Sequence, residues 1–291
     1  MFELKQGICY PGYGVQANED AIGWGKHYCF VLDGASCLSG KNIVDPISDS
    51  AWMARKIRDG LCALLDQDDP RPTRQLLQQV VAQVREEYVQ ALQGTGSDTP
   101  KDSPSACFAL FRQRDGRLEF FGIGDCVGVA KLPNGRDFHA LDSNLPNLDN
   151  QVLKQMKQIH LQTGVSVREA RKACNDLLIQ NRCLRNKPGG YWILDLLTDD
   201  GISNAREEVW ELTEPVCVGA FSDGFSQLTD LFGHYQNYTA LFEAMQENDL
   251  EEMFQTLCAL QDADPDYTAY PRFKHRDDTC ALWGIFLPEK Q

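Results

Sequence analysis

The stretch Cys29-Phe30-Val31-Leu32-Asp33-Gly34-Ala35-Ser36 decides how the chain is read, because an unbroken apolar run ends there on an acid followed directly by a glycine. A strand that delivers an Asp at its end, beside a Gly that lets another group approach the backbone, is suited to holding a metal. Ordinary hairpin turns use the same dipeptide, so Asp33-Gly34 alone is a weak signal. Its company strengthens it. Asn18-Glu19-Asp20 precedes it, and Gly124-Asp125, Ser222-Asp223-Gly224 and Arg276-Asp277-Asp278-Thr279 follow. Four of these five acidic sites adjoin an apolar, strand-like run.

Working outward, residues 2–9 and 21–33 read as strands, the latter a hairpin split by Lys26-His27. Helical spacing then runs through Met53, Ile57, Leu61, Leu64 and Leu65, and again through Leu77, Val80, Val81, Val84, Tyr88 and Ala91. The polar run Gly94-Thr95-Gly96-Ser97-Asp98-Thr99-Pro100 ends the second helix. Between residues 106 and 141 the period changes to that of strands with short turns, which predicts an antiparallel meander with Asp125 at a tight corner. From about 142 to 214 the pattern is irregular and mostly helical and reads as an insertion. Strand character returns at residues 216–222, helices at 225–231, 239–246 and 250–260, and a last strand at 280–286.

The chain has 291 residues, 43% of them hydrophobic, enough for a substantial core. Its 42 acidic against 28 basic residues give a formal charge of -14, which argues against nucleic acid or an anionic membrane as main partner and favours cations. No apolar segment approaches the length of a membrane span and the start lacks a signal-peptide pattern, so a cytoplasmic protein is expected. Eleven scattered cysteines without a C-x-x-C pair fit neither a structural zinc site nor a disulfide framework.

Carboxylates drawn from distant parts of the chain repel one another unless a cation joins them. Hard divalent ions such as Mg²⁺ and Mn²⁺ take carboxylate and carbonyl oxygens. Two such ions can lower the pKa of a bridging water and clamp an in-line displacement at phosphorus. Other chemistries lack their motifs: there is no G-x-S-x-G, no H-E-x-x-H and no phosphate-binding G-x-x-x-x-G-K-[ST]. The five histidines contain no pair at ligand spacing.

The order Glu19-Asp20, Asp33-Gly34, two helices, Gly124-Asp125-Cys126, Ser222-Asp223-Gly224 and Asp277-Asp278 before the final strand resembles the metal-dependent protein phosphatase family, protein phosphatase 2C. The resemblance covers nearly the whole chain apart from about 142–214. It implies an α+β fold, a four-layer α-β-β-α sandwich of two central antiparallel sheets flanked by helix pairs, in a single domain spanning 1–291 with an enlarged flap-like insertion. It also implies two Mn²⁺ or Mg²⁺ ions at one end of the sandwich. Asp33 would bridge them, Glu19 and the Gly34 carbonyl would complete one, and Asp223 and Asp277 the other. Asp20 would support bound water, and Asp125 with Asp223 would help hold a third, weaker ion. The implied reaction is attack of the metal-bridging water on phosphoserine or phosphothreonine of a phosphorylated protein substrate.

Three departures bear on substrate and rate. Family members commonly carry an arginine shortly before the Glu-Asp pair, yet residues 10–17 contain no basic side chain, so the phosphate is left to metal, to water or to a residue from elsewhere, for which Lys26 and Arg276 are the candidates. The histidine of the D-G-H-G-G of many eukaryotic members is absent from Asp33-Gly34-Ala35-Ser36-Cys37, and Cys126 replaces the serine of G-D-S. Two alternatives stay open: a weak or inactive protein of the same fold that binds metal or a phosphoprotein as a regulator, and a phosphatase of a small phosphorylated metabolite.

Overall fold

The computed structural model describes residues 1–35, 38, 41–95, 103–142 and 144–289. Strands β1 (Phe2–Tyr10), β2 (Asp20–Gly25) and β3 (Tyr28–Gly34) lead into helices α1 (Asp49–Leu65) and α2 (Thr73–Thr95). Strands β4 (Ser105–Arg114), β5 (Arg117–Ile123), β6 (Val127–Leu132) and β7 (Arg136–Ala140) follow, then helices α3 (Asn144–Thr163), α4 (Val167–Ala170) and α5 (Asn175–Arg182). The chain closes with β8 (Leu194–Asp195), α6 (Asp200–Ser203), β9 (Arg206–Glu211), β10 (Val216–Phe221), α7 (Asp223–Asp230), α8 (Tyr238–Glu247), α9 (Leu250–Asp262) and β11 (Thr279–Phe286). Ser36, Cys37 and most of the turn read at 94–100 lie outside the described residues.

Two antiparallel sheets form the centre, one ordered β1-β11-β10-β6-β7 and the other β2-β3-β4-β5-β9 with β8 beside β4. Alternation along β3 explains its unbroken apolar run. Cys29 and Val31 face the space between the sheets, with Phe111, Phe120, Val218 and Leu282. Phe30 and Leu32 face the other way, onto Met53, Ile57, Leu77 and Val81 of α1 and α2. A strand covered on both faces has no polar side to show. The outer face of the first sheet carries Val129, Phe221 and Trp283 against Phe225, Phe242, Met245 and Leu257 from α7, α8 and α9. The architecture is therefore the four-layer α-β-β-α sandwich.

Two details differ from the sequence reading. Residues 106–141 do not make one meander: β4 and β5 pair in one sheet, and β6 and β7 in the other. The chain changes sheets at Gly124, whose φ of +76° suits glycine and whose added Cβ would meet the Cys107 sulfur at 2.4 Å. The segment 142–214 also returns to the sandwich well before its end, since β8 pairs with β4 and β9 with β5. The helical part has a small core of its own, Val152, Met156, Val167, Ala170 and Cys174. Tyr267, from the loop that leads to Asp277, completes it.

Candidate metal and phosphate site

The acids singled out in the sequence, apart from their neighbours in the turns, gather at one end of the sandwich because strand ends meet there. Asp20 opens β2 and stands directly opposite Asp33 in the β2–β3 ladder. Both carboxylates therefore share a face, an arrangement that like charges oppose. Asp125 sits at the sheet-to-sheet corner, Asp223 in the first turn of α7, and Asp277 and Asp278 just before β11.

Backbone contacts hold this end together. The Gly34 N–H donates to the Glu19 carbonyl at 3.1 Å, and a Cβ on Gly34 would stand 2.5 Å from that oxygen. A Cβ on Gly224 would meet the Asp278 carbonyl at 2.0 Å. Both glycines of the repeated Asp-Gly are therefore required by close approach. The Ser48 hydroxyl donates to Glu19 Oε1 at 2.6 Å, and the Gly12 N–H to Asp278 Oδ1 at 2.7 Å. The Asp223 N–H lies 3.4 Å from Asp33 Oδ2, bringing Ser222-Asp223-Gly224 onto Asp33-Gly34.

The electrostatics are those of crowded carboxylates. Burial, then Asp20, Asp223, Asp125 and Asp277, pushes the Asp33 carboxyl well above the usual range. Burial does the same to Asp20, opposed by the Ser222 hydroxyl and reinforced by Asp278, Asp223 and Asp277. Ser222 lies close without completing a hydrogen bond, and neither Asp20 oxygen has a partner among the described residues. Burial with Asp223 raises Asp125 to about 8, and burial with Asp277 raises Asp223 to about 6.

Residues that sequence reasoning missed complete the site. A hollow of about 170 Å³ is lined by Asp33, Asp125, Asp223 and Asp277 together with Asp149, Lys274, Arg171 and Arg182. A larger hollow of about 410 Å³ adjoins it and shares Asp125, Asp149, Asp223, Lys274 and Asp277. Asp149, on α3, is raised to about 7 by burial and Asp223, with Arg182 opposing. Lys274 donates to Asp277 Oδ1 at 2.5 Å. Burial works against its ammonium, but Asp277, Glu19 and Asp278 hold its pKa above the ordinary lysine range, and 35% of its side chain remains exposed. The i,i+3 spacing of Lys274 and Asp277 was a readable signal, whereas nothing local marks Asp149, Arg171 or Arg182.

Neither predicted substrate cation faces these acids. Lys26 lies in the β2–β3 turn, at the other end of strands whose acidic ends hold Asp20 and Asp33, about 20 Å away at strand rise. Adjacency in sequence misled there, because a hairpin carries its turn away from its ends. Arg276 turns to Asp262 Oδ2 at 2.5 Å and lies over the Tyr13 ring.

The residues fit hard cations by chemistry: every acidic donor is oxygen, the Asp20 oxygens are buried and unpartnered, and the mutual repulsion calls for positive charge. Among the described residues no three His, Cys, Asp or Glu side chains are already drawn to a common metal-binding point. Lys274 supplies one positive charge in their midst.

A family model described as Protein phosphatase 2C matches residues 15–260. Among solved structures, the serine/threonine phosphatase PstP/Ppp of Mycobacterium tuberculosis is similar, with 13% identity, 99% of this chain and 100% of that chain covered, and a TM-score of 0.56. PppA of Pseudomonas aeruginosa, described as a key regulatory component of T6SS, has 12% identity over 98% of this chain and 97% of its own, with a TM-score of 0.55. The catalytic domain of PstP in complex with two manganese ions has 13% identity over 99% and 100%, with a TM-score of 0.53. At these identities the likeness is one of fold. No curated protein matches the chain in sequence. Among the described residues, no helix is long and apolar enough to cross a membrane.

Proposed function

Because the chain belongs to the protein phosphatase 2C family, we propose that it is a metal-dependent phosphatase that hydrolyses phosphoserine and phosphothreonine in proteins. The observation that carries this reading is the convergence of Asp33, Asp125, Asp223 and Asp277 on one hollow at the end of the sandwich. Asp33, which faces both Asp20 and Asp223, would be shared between two Mn²⁺ or Mg²⁺ ions. Glu19 and the Gly34 carbonyl would hold one of them, Asp223 and Asp277 the other, and Asp125 with Asp223 a third. When bound, such ions supply a water of lowered pKa and positive charge beside the phosphate oxygens.

The remaining work belongs to the protein. Ser48 orients Glu19 through its hydroxyl. The Gly12 N–H fixes Asp278 and with it the chain entering β11. Asp20 is a buried carboxyl that favours holding a proton, suited to orienting water beside Asp33.

The test measures hydrolysis of p-nitrophenyl phosphate and a phosphothreonine peptide with and without Mn²⁺, beside a folded Asp33→Asn, Asp223→Asn variant. Mn²⁺-dependent turnover is expected, falling in the variant by about a thousandfold or more. Turnover that survives both substitutions overturns the assignment. The Lys274–Asp277 ion pair favours a second reading, a binding protein of this fold without turnover. That reading requires Mn²⁺ to bind calorimetrically while no phosphate is released.

A further inference from the structure

A phosphate dianion cannot settle among carboxylates unless positive groups meet it. Three cations among the described residues line the 170 Å³ hollow: Lys274, which bonds Asp277, and Arg171 and Arg182, both from the helical insertion. Arg171 follows α4, and its side chain makes no ion pair or hydrogen bond among the described residues. Arg182 is the last residue of α5 and acts on Asp149 and Tyr191 across the hollow.

No residue of helix α5 is fully buried, and only Leu177 and Leu178 pack against the small core of the insertion. Polar anchors add to that contact. Asn181 donates to the Leu148 carbonyl at 3.3 Å. Three residues beyond Arg182, the Arg185 guanidinium pairs with Asp195 of β8 at 2.9 Å, both side chains buried, and also bonds the Ser103 carbonyl and hydroxyl. The segment carrying Arg182 is thus pinned to the sandwich beside the acids, as a preorganised binding group must be.

We propose that the insertion supplies the phosphate-binding cations of this site, with Arg182, assisted by Arg171, gripping the phosphate of the substrate monoester. A guanidinium's planar fork of donors matches two phosphate oxygens. The insertion therefore belongs to the substrate site, and its place on the chain explains why no basic residue is needed between residues 10 and 17. The inference rests on the phosphatase reading for its substrate, but not for its test.

That test is equilibrium binding of inorganic phosphate, in the presence of Mn²⁺, to the full chain and to Arg182→Ala, Arg182→Lys and Arg171→Ala/Arg182→Ala, with Mn²⁺ affinity and thermal stability measured alongside. Arg182→Ala is expected to weaken phosphate binding about tenfold to a hundredfold, the double variant further, and Arg182→Lys less. Mn²⁺ affinity stays the same. Unchanged phosphate affinity in the double variant, or no phosphate binding by the unaltered protein, overturns the proposal. Phosphate binding that depends on these arginines without any phosphoester turnover upholds it while refuting the phosphatase reading. Turnover with unchanged phosphate affinity does the reverse.

Discussion

Strand β3 buries every residue from 28 to 32, whereas helix α5 buries none of its eight, yet both line the same hollow. The strand's side chains have their directions fixed by alternation and by cover on both faces, so the acid at its end can point only one way. The helix is placed by a few polar contacts and by a small cluster around Met156 and Tyr267. One wall of the site is thus a product of the core and the other of its anchors. The insertion is expected to open more readily than the sandwich, in the manner of substrate-handling segments generally.

The largest expected effect breaks the join between the two regions. Asp195→Ala leaves the Arg185 guanidinium buried without its carboxylate and removes the acceptor of the Ser103 hydroxyl and Leu197 N–H. A loss of about 3–5 kcal/mol of global stability is expected in denaturant unfolding. Joint replacement, Arg185→Met with Asp195→Leu, should recover part of it. An unchanged midpoint for Asp195→Ala would mean that the insertion is joined to the sandwich by something other than this pair.

A smaller effect sharpens the same contrast. Met156 is fully buried, but only within the insertion's cluster. Met156→Ala is expected to cost about 2 kcal/mol locally. Amide exchange across residues 144–182 should quicken while the protection of β3 and β4 holds. Equal loss of protection in both regions would show one cooperative unit in place of two.

The same contrast explains what the sequence displayed. Unbroken apolar runs marked the core strands, Asp-Gly marked their acidic ends, and Met53, Ile57 and Leu61 marked α1, because each pattern records burial. β9, Arg206-Glu207-Glu208-Val209-Trp210-Glu211, escaped notice as an edge strand with no buried residue. The sheet change at Gly124 looked like a hairpin because a turn's length does not say which sheet receives the next strand. Asp149, Arg171 and Arg182 reach the site through tertiary placement, for which a linear pattern has no sign.

The smallest expected effect concerns the acids themselves and has a definite sign. Without metal, the folded-state pKa of Asp20 lies well above that of the unfolded chain, and Asp223 and Asp278 are raised to about 6, Asp149 to about 7 and Asp125 to about 8. Above about pH 5.5, where the carboxyls with depressed pKa such as Asp45, Asp69 and Asp264 are deprotonated in both states, the folded state therefore binds more protons than the unfolded state, so stability in chelator falls as pH rises towards 8. Lys274, with its pKa raised, stays charged throughout that window and does not alter the sign. Asp20→Asn removes one buried carboxyl whose oxygens have no partner. It is expected to stabilise the chelated protein by about 1–2 kcal/mol near pH 8 and to flatten the pH slope. Mn²⁺ should reverse the ranking, because the ions favour the deprotonated carboxylates that strain the metal-free fold. Thermal unfolding at pH 5.5 and pH 8, with chelator and with Mn²⁺, reads all of this. A chelated protein that grows more stable towards pH 8 would show that Lys274 and the arginines of the insertion already neutralise the cluster, leaving the strand ends no electrostatic need for a metal.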